Sequence, residues 1–289
     1  MIDIHTHLGR WGSRKEPEMT EDELLRRMDE LGIAQAGVLP MGMTPECFIF
    51  PFDTDDVLAV HRRHPDRIIP FCNLDPRAGN WADMDFSWIF DEWRAAGCKG
   101  LGEVTANLPF DHPLCINLYR HCGRVGFPVL FHLADRAGPG SGTYGVADEM
   151  GLPRLEKTLR KLPQTTFIGH APAFWNEIAS NVNAAARNDC QDGPVAGPGR
   201  VPELLGKYPN LYGDLSAGSG FSAISRDPEF GYRFLQEHQD KLLFGTDICH
   251  VGQEAPLVPW LNAARDRGKI SQACYDKIAR LNARKLLGV

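Results

Sequence analysis

The sequence predicts an α/β protein, a single (β/α)8 TIM barrel spanning residues 1–289 as one domain. Three observations carry that expectation. Short β-rich runs alternate with amphipathic helical patterns along the whole chain. Eight such runs can be counted, each followed by a helical pattern. No Pro/Ser-rich linker and no internal repeat divides the 289 residues, and a minimal barrel takes ~250.

The first strand is expected at 2–5. Thr20-Glu21-Asp22-Glu23 then reads as a capping box, with Leu24, Leu25, Met28 and Leu31 as the apolar stripe of its helix and Gly32 as the stop. The second strand, 36–41, leads to a helix at 55–64 that ends at Pro65. The third, 67–74, leads to 86–96, closed by Gly97, and the fourth, 98–104, to 113–125, closed by Gly126. The fifth, 128–133, is followed by a helix at 153–162 that ends before Pro163. Behind the sixth, 165–170, helices are expected at 174–187 and 200–207. The seventh, 211–216, precedes 228–238, and the eighth, 242–247, precedes 256–267 and 271–287. Two stretches break the rhythm: the Gly-rich 135–151 and the excursion 188–199. Both belong on the C-terminal face of a barrel, where active sites are built, and they hold most of the surplus over a minimal barrel.

Composition narrows the function. Hydrophobic residues make up 43% and charged residues 24%, which fits a folded globular protein and excludes disordered and fibrous classes. With 31 basic and 37 acidic side chains the formal net charge is −6, so no nucleic-acid partner is expected. The apolar runs fall short of the ~20 residues that span a bilayer, so no membrane partner is expected either. The opening Met1-Ile2-Asp3-Ile4-His5 lacks the basic and apolar regions of a secretory leader. Eight cysteines stand at 47, 72, 98, 115, 122, 190, 249 and 274 without a CxxC pair, and read as reduced, mostly buried thiols of a cytoplasmic protein.

The chemistry stands at the strand ends. Strand one ends in His5-Thr6-His7, strand four in Gly102-Glu103-Val104 and strand five in Phe131-His132-Leu133. Strand six ends in Gly169-His170-Ala171 and strand eight in Gly245-Thr246-Asp247. Side chains at i and i+2 of a strand share a face, so His5 and His7 can grip one ion together. Each residue alone has a plainer explanation: a satisfied core histidine, a helix N-cap, a paired glutamate. Their joint placement points to a divalent metal site, since imidazole and carboxylate suit zinc, manganese, iron or nickel. Of the other histidines, His61, His64, His121 and His238 lie on helical patterns and read as solvated, and His112 lies in a loop. His250, three residues beyond Asp247, is a candidate for the pocket.

These segments resemble the amidohydrolase superfamily, and most closely its amidohydrolase 2 branch. The matching stretches are Ile2-Asp3-Ile4-His5-Thr6-His7, Leu130-Phe131-His132, Phe167-Ile168-Gly169-His170 and Leu243-Phe244-Gly245-Thr246-Asp247, with Asn282-Ala283-Arg284-Lys285-Leu286-Leu287-Gly288 resembling the closing helix. The resemblance implies that His5, His7, His132 and Asp247 ligate metal. It leaves His170 as a second metal's ligand or a group acting on substrate. Glu103 departs from the carboxylated lysine of many binuclear relatives and is closer to the ligating glutamate of TatD-like hydrolases, so it joins the expected ligand set. Lys99 shares its facing but lies four residues earlier, more than ~10 Å lower in the barrel.

The expected activity is hydrolysis by a metal-activated water, with one or two ions, zinc foremost. Asp247 is the proton acceptor, and His170 stabilises the oxyanion. The substrate is expected to be a small amide, ester or lactone, including one bearing a carboxylate. Arg136, Trp11, Trp175, Asp214 and His250 are the candidate substrate contacts, with Arg10 and Phe174 as further pocket walls. Asp214 has a second reading, as the group that orients a ligand histidine. Competing activities are non-oxidative decarboxylation of an aromatic or enoic acid, a TatD-like nuclease, and a barrel that binds ligand without turnover. A homo-oligomer is compatible with every one of them.

Overall fold

The computed structural model describes residues 1–10, 15–41, 44, 46, 52–79 and 81–289. In chain order the elements are β1 (Ile2–Thr6), α1 (Glu21–Leu31), β2 (Gln35–Val38), α2 (Thr54–Arg63), β3 (Ile68–Pro70), α3 (Ser87–Ala95), β4 (Leu101–Val104) and α4 (Pro113–Val125). There follow β5 (Val129–Ala134), a short β6 (Val146–Ala147), α5 (Pro153–Lys161), β7 (Phe167–His170), α6 (Pro172–Trp175), α7 (Arg200–Lys207) and β8 (Leu211–Asp214). The chain closes with α8 (Ala217–Ser225), α9 (Pro228–Glu237), β9 (Leu242–Leu243), α10 (Leu257–Asp266), α11 (Gln272–Asp276) and α12 (Asn282–Leu287), the last two joined by a π turn.

All strand pairings are parallel: β1-β2-β3 form one sheet and β4-β5-β7-β8-β9 the other, with β6 added beside β5. Backbone hydrogen bonds join the two sheets at both seams. At one seam Cys72 N donates to Gly100 O at 2.9 Å. At the other, Ile4 N donates to Phe244 O at 3.0 Å and Asp247 N to His5 O at 2.8 Å. The arrangement is the expected TIM barrel, eight parallel strands interleaved with helices.

The pleat decides what faces inward. Leu130 and Ile168 are in register on β5 and β7 and belong to an inner cluster with Leu39, Ile69, Phe71 and Leu243. Ala283 and Leu287 of α12 pack into the same cluster. Two residues further along β5 and β7, and again in register, stand His132 and His170. The histidines thus form the next layer toward the C-terminal mouth. Alternate residues Val129, Phe131 and Phe167 point outward into the larger core beneath the helices. Lys99 lies low in the barrel, as its sequence offset requires: its Nζ donates to the carbonyl of Gly288 at the chain's far end, 3.4 Å away.

Two expectations need correction, and one helix was not anticipated. The helix expected over 174–187 is only α6 followed by 3-10 turns at Asn176–Ile178 and Ala184–Ala186. Asparagine side chains compete with the helical backbone there. Asn176 Nδ2 donates to Arg187 O and Asp189 O, and Asn183 Oδ1 accepts from Ala185 N. Conversely, α8 forms from Ala-Gly-Ser-Gly-Phe-Ser-Ala-Ile-Ser, where propensity predicts a loop and packing against α6 and α9 overrides it. His238, read as solvated, is buried against Phe234 at a ring separation of 4.9 Å. Six of the seven described cysteines are buried and outside any disulfide, and Cys190 is exposed. Among the described residues no helix is long and apolar enough to cross a membrane.

His238 yields a pH prediction. Burial pushes its pKa below the ordinary histidine value, and Nε2 has no hydrogen-bond partner. The unfolded chain therefore takes up this proton more readily than the folded one. Stability contributed by the neutral ring is present above about pH 6.5 and is lost as the pH falls below it. Urea midpoints at pH 8, 6.5 and 5 should fall more steeply for the wild type than for His238→Gln. Parallel curves would show that the ring is not titrating in the fold.

Candidate metal centre

The C-terminal mouth gathers four histidines and three carboxylates from the ends of six strands. His5 and His7 sit at and just beyond the end of β1, two residues apart, with both rings buried. His5 Nδ1 lies 2.7 Å from Asp214 Oδ2, and His7 Nδ1 lies 2.9 Å from the carbonyl of Leu39. Both partners are acceptors, so each neutral ring carries its proton on Nδ1 and presents Nε2 as a lone pair. The two Nε2 atoms face each other at 2.9 Å. Two ring nitrogens at that distance share either a proton or a metal ion.

Carboxylates complete the ring of donors. Asp247 Oδ1 lies 3.5 Å from His5 Nε2 and 3.3 Å from His7 Nε2. Glu103 Oε2 lies 3.7 Å and 3.6 Å from the same two nitrogens. Ligand bonds of ~2.0–2.1 Å in a tetrahedron put donor atoms about 3.3 Å apart, the spacing seen here. Two groups of atoms lie close enough to share an ion: His5, His7 and Asp247; and His5, Glu103 and His170. The donor set fits a divalent cation.

Charge points the same way. Burial works against ionising Glu103, but His132 and His5 outweigh it and hold the group well below the usual carboxylate range. Asp247 and Asp214 are lowered against burial too, in both cases with His5 as the strongest attraction. For His5, burial would remove the proton, yet Asp247 and Asp214 lift the ring well above its ordinary value. The mouth is thus an anionic cluster that draws positive charge inward.

Asp214 is fully buried and touches no open space. Its Oδ2 lies 2.7 Å from His5 Nδ1 and 3.1 Å from His170 Nδ1, and accepts from Ser216 Oγ at 2.7 Å. It orients both histidines instead of meeting substrate, which was one of its two readings. Gly245 makes room for it: a Cβ there would lie 2.6 Å from Asp214 Oδ1. Asp3 plays a parallel role, accepting from His5 N, Thr246 N and Thr246 Oγ1 at 3.0, 3.0 and 2.6 Å. Burial pushes its pKa up to about 7. Asp247 is held from behind as well, since Gln253 Nε2 donates to its carbonyl at 2.6 Å. Ser216, Asp3, Thr246 and Gln253 were not among the expected site residues. The only signal for them is adjacency in sequence to residues that were.

Other expected residues take different places. His132, expected as a ligand, sets its Nδ1 2.7 Å from Glu103 Oε1 and belongs to neither ion-sharing group. Its ring steadies Glu103, because the glutamate reaches across from the neighbouring strand. On its other side it meets Tyr144 at a centroid distance of 4.3 Å. Gly145 allows that approach with φ +115°, where a Cβ would lie 2.6 Å from His132 O. Trp175 is not a pocket wall: it is buried, and its indole N–H donates to Asp214 O at 2.7 Å. Phe174 is likewise buried, under Gly169. Arg136 is exposed and bound to Asp135. His250 lines a small cavity of about 340 Å³ beside Asp247, together with Gln253 and Phe221. Arg10 is exposed, and Trp11 lies outside the described residues.

Replacing Asp214 should show what it holds in place. Asp214→Asn keeps the shape but lets His5 and His170 choose the wrong tautomer. Affinity for a divalent ion, read by competition with a chromogenic chelator, should fall by ~10–100-fold with an unchanged circular-dichroism spectrum. Unchanged affinity would remove Asp214 from the support of the centre.

Comparison with known proteins agrees with the resemblance seen in the motifs. A family model described as amidohydrolase matches residues 2–289. No curated protein matches the chain. Among solved structures, a zinc-bound amidohydrolase from Burkholderia multivorans superposes with TM-score 0.64 at 14% identity, covering 100% of this chain and 99% of that one. A probable 2-pyrone-4,6-dicarboxylic acid hydrolase from Acinetobacter baumannii, with citric acid bound, gives 0.61 at 15%, covering 100% and 99%. A dihydroxybenzoic acid decarboxylase from a Polaromonas species, with bound manganese and 2-nitroresorcinol, gives 0.58 at 15%, covering 99% and 96%. At such identities the likeness is one of fold.

Proposed function

The chain belongs to the amidohydrolase family, and from that premise we propose that this enzyme is a metal-dependent hydrolase of a small amide, ester or lactone. The observation that carries the reading is the pair of facing lone pairs on His5 and His7, ringed by Asp247 and Glu103. In this reading His5, His7, Asp247 and Glu103 hold one divalent ion, zinc or a neighbour such as manganese, iron or nickel. His5 Nδ1 is engaged by Asp214, so its single remaining lone pair serves one ion, and both groups of donors describe one centre. A cation bound there supplies the Lewis acidity that makes hydroxide available near neutral pH and polarises a carbonyl.

The protein's own groups do the rest. Asp247 is the most exposed of these ligands: its side chain is 23% exposed, against 4% for Glu103. Its Oδ1 faces His5 and His7, while Oδ2 is turned toward His170 Nε2 at 3.9 Å. Oδ2 takes the proton of the attacking water and returns it to the leaving group. His170 is fixed through Nδ1 by Asp214 and Ser216, and in its doubly protonated form it donates from Nε2 to the developing oxyanion. His132 and Glu103 share a hydrogen bond that keeps the glutamate aimed at the centre.

Elemental analysis of protein purified without chelator should give about one divalent ion per chain. Chelation should abolish hydrolysis across a panel of amides, esters and lactones, and zinc or manganese should restore it. Asp247→Asn should lower kcat by ~10²–10⁴-fold on whichever member turns over, with the fold retained. Full activity in that variant would remove Asp247 as the base. Release of carbon dioxide from a carboxylic acid, with no hydrolysis, would replace this reading by decarboxylation.

A further inference from the structure

Beside the metal centre lies a cavity of about 1010 Å³, walled by the segments that follow β4 and β5. Tyr144 belongs to its lining and also rests against His132, so the cavity adjoins the centre at that ring. Three arginines line it among the described residues: Arg77, Arg136 and Arg154. An arginine in a pocket ordinarily advertises a carboxylate-bearing ligand. Here each one already has its carboxylate. Arg77 is paired with Glu46 at 2.7 Å and Asp75 at 2.6 Å. Arg154 is paired with Glu149 at 2.6 Å and Asp111 at 2.6 Å. Arg136 is paired with Asp135 at 3.0 Å, and its Nε donates to Ser141 O at 3.0 Å.

The wall therefore carries no surplus of positive charge. Its three arginines face four lining carboxylates: Glu46, Asp135, Asp148 and Glu149. Burial pushes Asp148 up to about 7, so it is only partly ionised at neutral pH, and the balance is still not positive without it. His112, also in the lining, accepts from Leu114 N through Nδ1 at 3.3 Å, a bond that a protonated ring cannot make. Paired charges still offer hydrogen-bond donors and acceptors to a neutral ligand, but an added anion meets carboxylates without a free counter-charge.

We propose that this cavity is the substrate pocket of the metal centre and that it receives an uncharged, hydrogen-bonding part of the substrate, rejecting a carboxylate placed away from the scissile bond. The proposal rests on the hydrolase reading above, and under it Arg136, a candidate substrate contact, does not grip a substrate carboxylate.

Three probes share a metal-binding head and differ in what they push into the cavity: benzohydroxamate, 4-carbamoylbenzohydroxamate and 4-carboxybenzohydroxamate. Calorimetric titration into the zinc-loaded protein should show the carbamoyl probe binding at least tenfold more tightly than the carboxy probe. Asp135→Asn removes the one carboxylate within 4 Å of Arg136 among the described residues. It should tighten the carboxy probe threefold or more and leave the carbamoyl probe within twofold. A carboxy probe that binds the wild type as tightly as the carbamoyl probe, or more tightly, overturns the proposal. So does an Asp135→Asn variant that leaves their ratio unchanged, and so does a failure of every probe to bind. Repeating the titrations on chelated protein separates the two readings. Affinities that ignore the metal count against the metal centre, while the order of the two charged and uncharged tails still decides what the cavity accepts.

Discussion

A single buried carboxylate organises the mouth of this barrel. Asp214 Oδ2 meets three groups within 3.1 Å, His5 Nδ1, His170 Nδ1 and Ser216 Oγ, while Oδ1 accepts from Ser216 N at 2.9 Å. An isolated carboxylate in such a place would be driven to protonate. It stays ionised because two imidazoles on different strands donate to it. The same bonds fix the tautomers of those rings, so that each Nε2 points into the mouth. The contact that satisfies the buried charge is therefore the contact that exposes the lone pairs. Trp175 closes the back of the arrangement by donating to the Asp214 carbonyl, which is why a tryptophan read as a pocket wall lies in the core.

The same economy extends to the long excursions. The segment after β7 never lines the larger cavity, yet it grips the segment that does. Arg187, buried, donates to Asp148 O at 2.6 Å, and Asn188 exchanges hydrogen bonds with Asp135. Glu177 accepts from Gly151 N at 3.0 Å, and Arg200 Nε donates to Gly151 O at 2.9 Å. The Gly-rich stretch, whose composition alone suggests a loose loop, is thus held at both ends by polar bonds to its neighbour. Tyr144 keeps its position against His132 without a regular element beneath it.

Much of this was visible in the sequence, for a definable reason. His5, His7, Glu103 and His170 stand at strand ends, and a strand's period of two tells which way a side chain points. His132 obeyed the same rule in its position, and its Nδ1 meets Glu103. Facing says that a ring enters the mouth. It does not say whether Glu103, 29 residues away in sequence, reaches the ring before a metal does. Asp247 was found by its motif, although it lies beyond β9 and is tied to β1 by its own amide. Arg136 shows the same limit. A rim arginine looks the same in sequence whether its fork is free or filled, and only the fold brings Arg77 to Glu46 or Arg154 to Asp111. Helix α8 was hidden because its glycines and serines carry no helical preference, and its formation is decided by packing.

Backbone strain shows where function has been allowed to override local preference. Among the described residues, four that are not glycine have positive φ, and three of them adjoin the mouth: Ala171 at 83°, Ala217 at 59° and Asp247 at 58°. Ala171 directly follows His170, and its ψ of 166° puts it in a region that only glycine occupies freely. Each such residue costs about 1–3 kcal/mol. The cost has a common origin: behind His170, around Ser216 and at Asp247 the chain must leave the barrel wall at once while the neighbouring side chain stays aimed at the centre. An extended exit would carry each functional group outward with the strand. The sharp turns are held by backbone bonds, with Asp247 N on His5 O, Ala217 N on Thr246 O and Trp175 N on Ala171 O. Asp247 N on His5 O ties one strained exit directly to the backbone of a histidine of the centre, so loosening that exit would loosen the histidine as well.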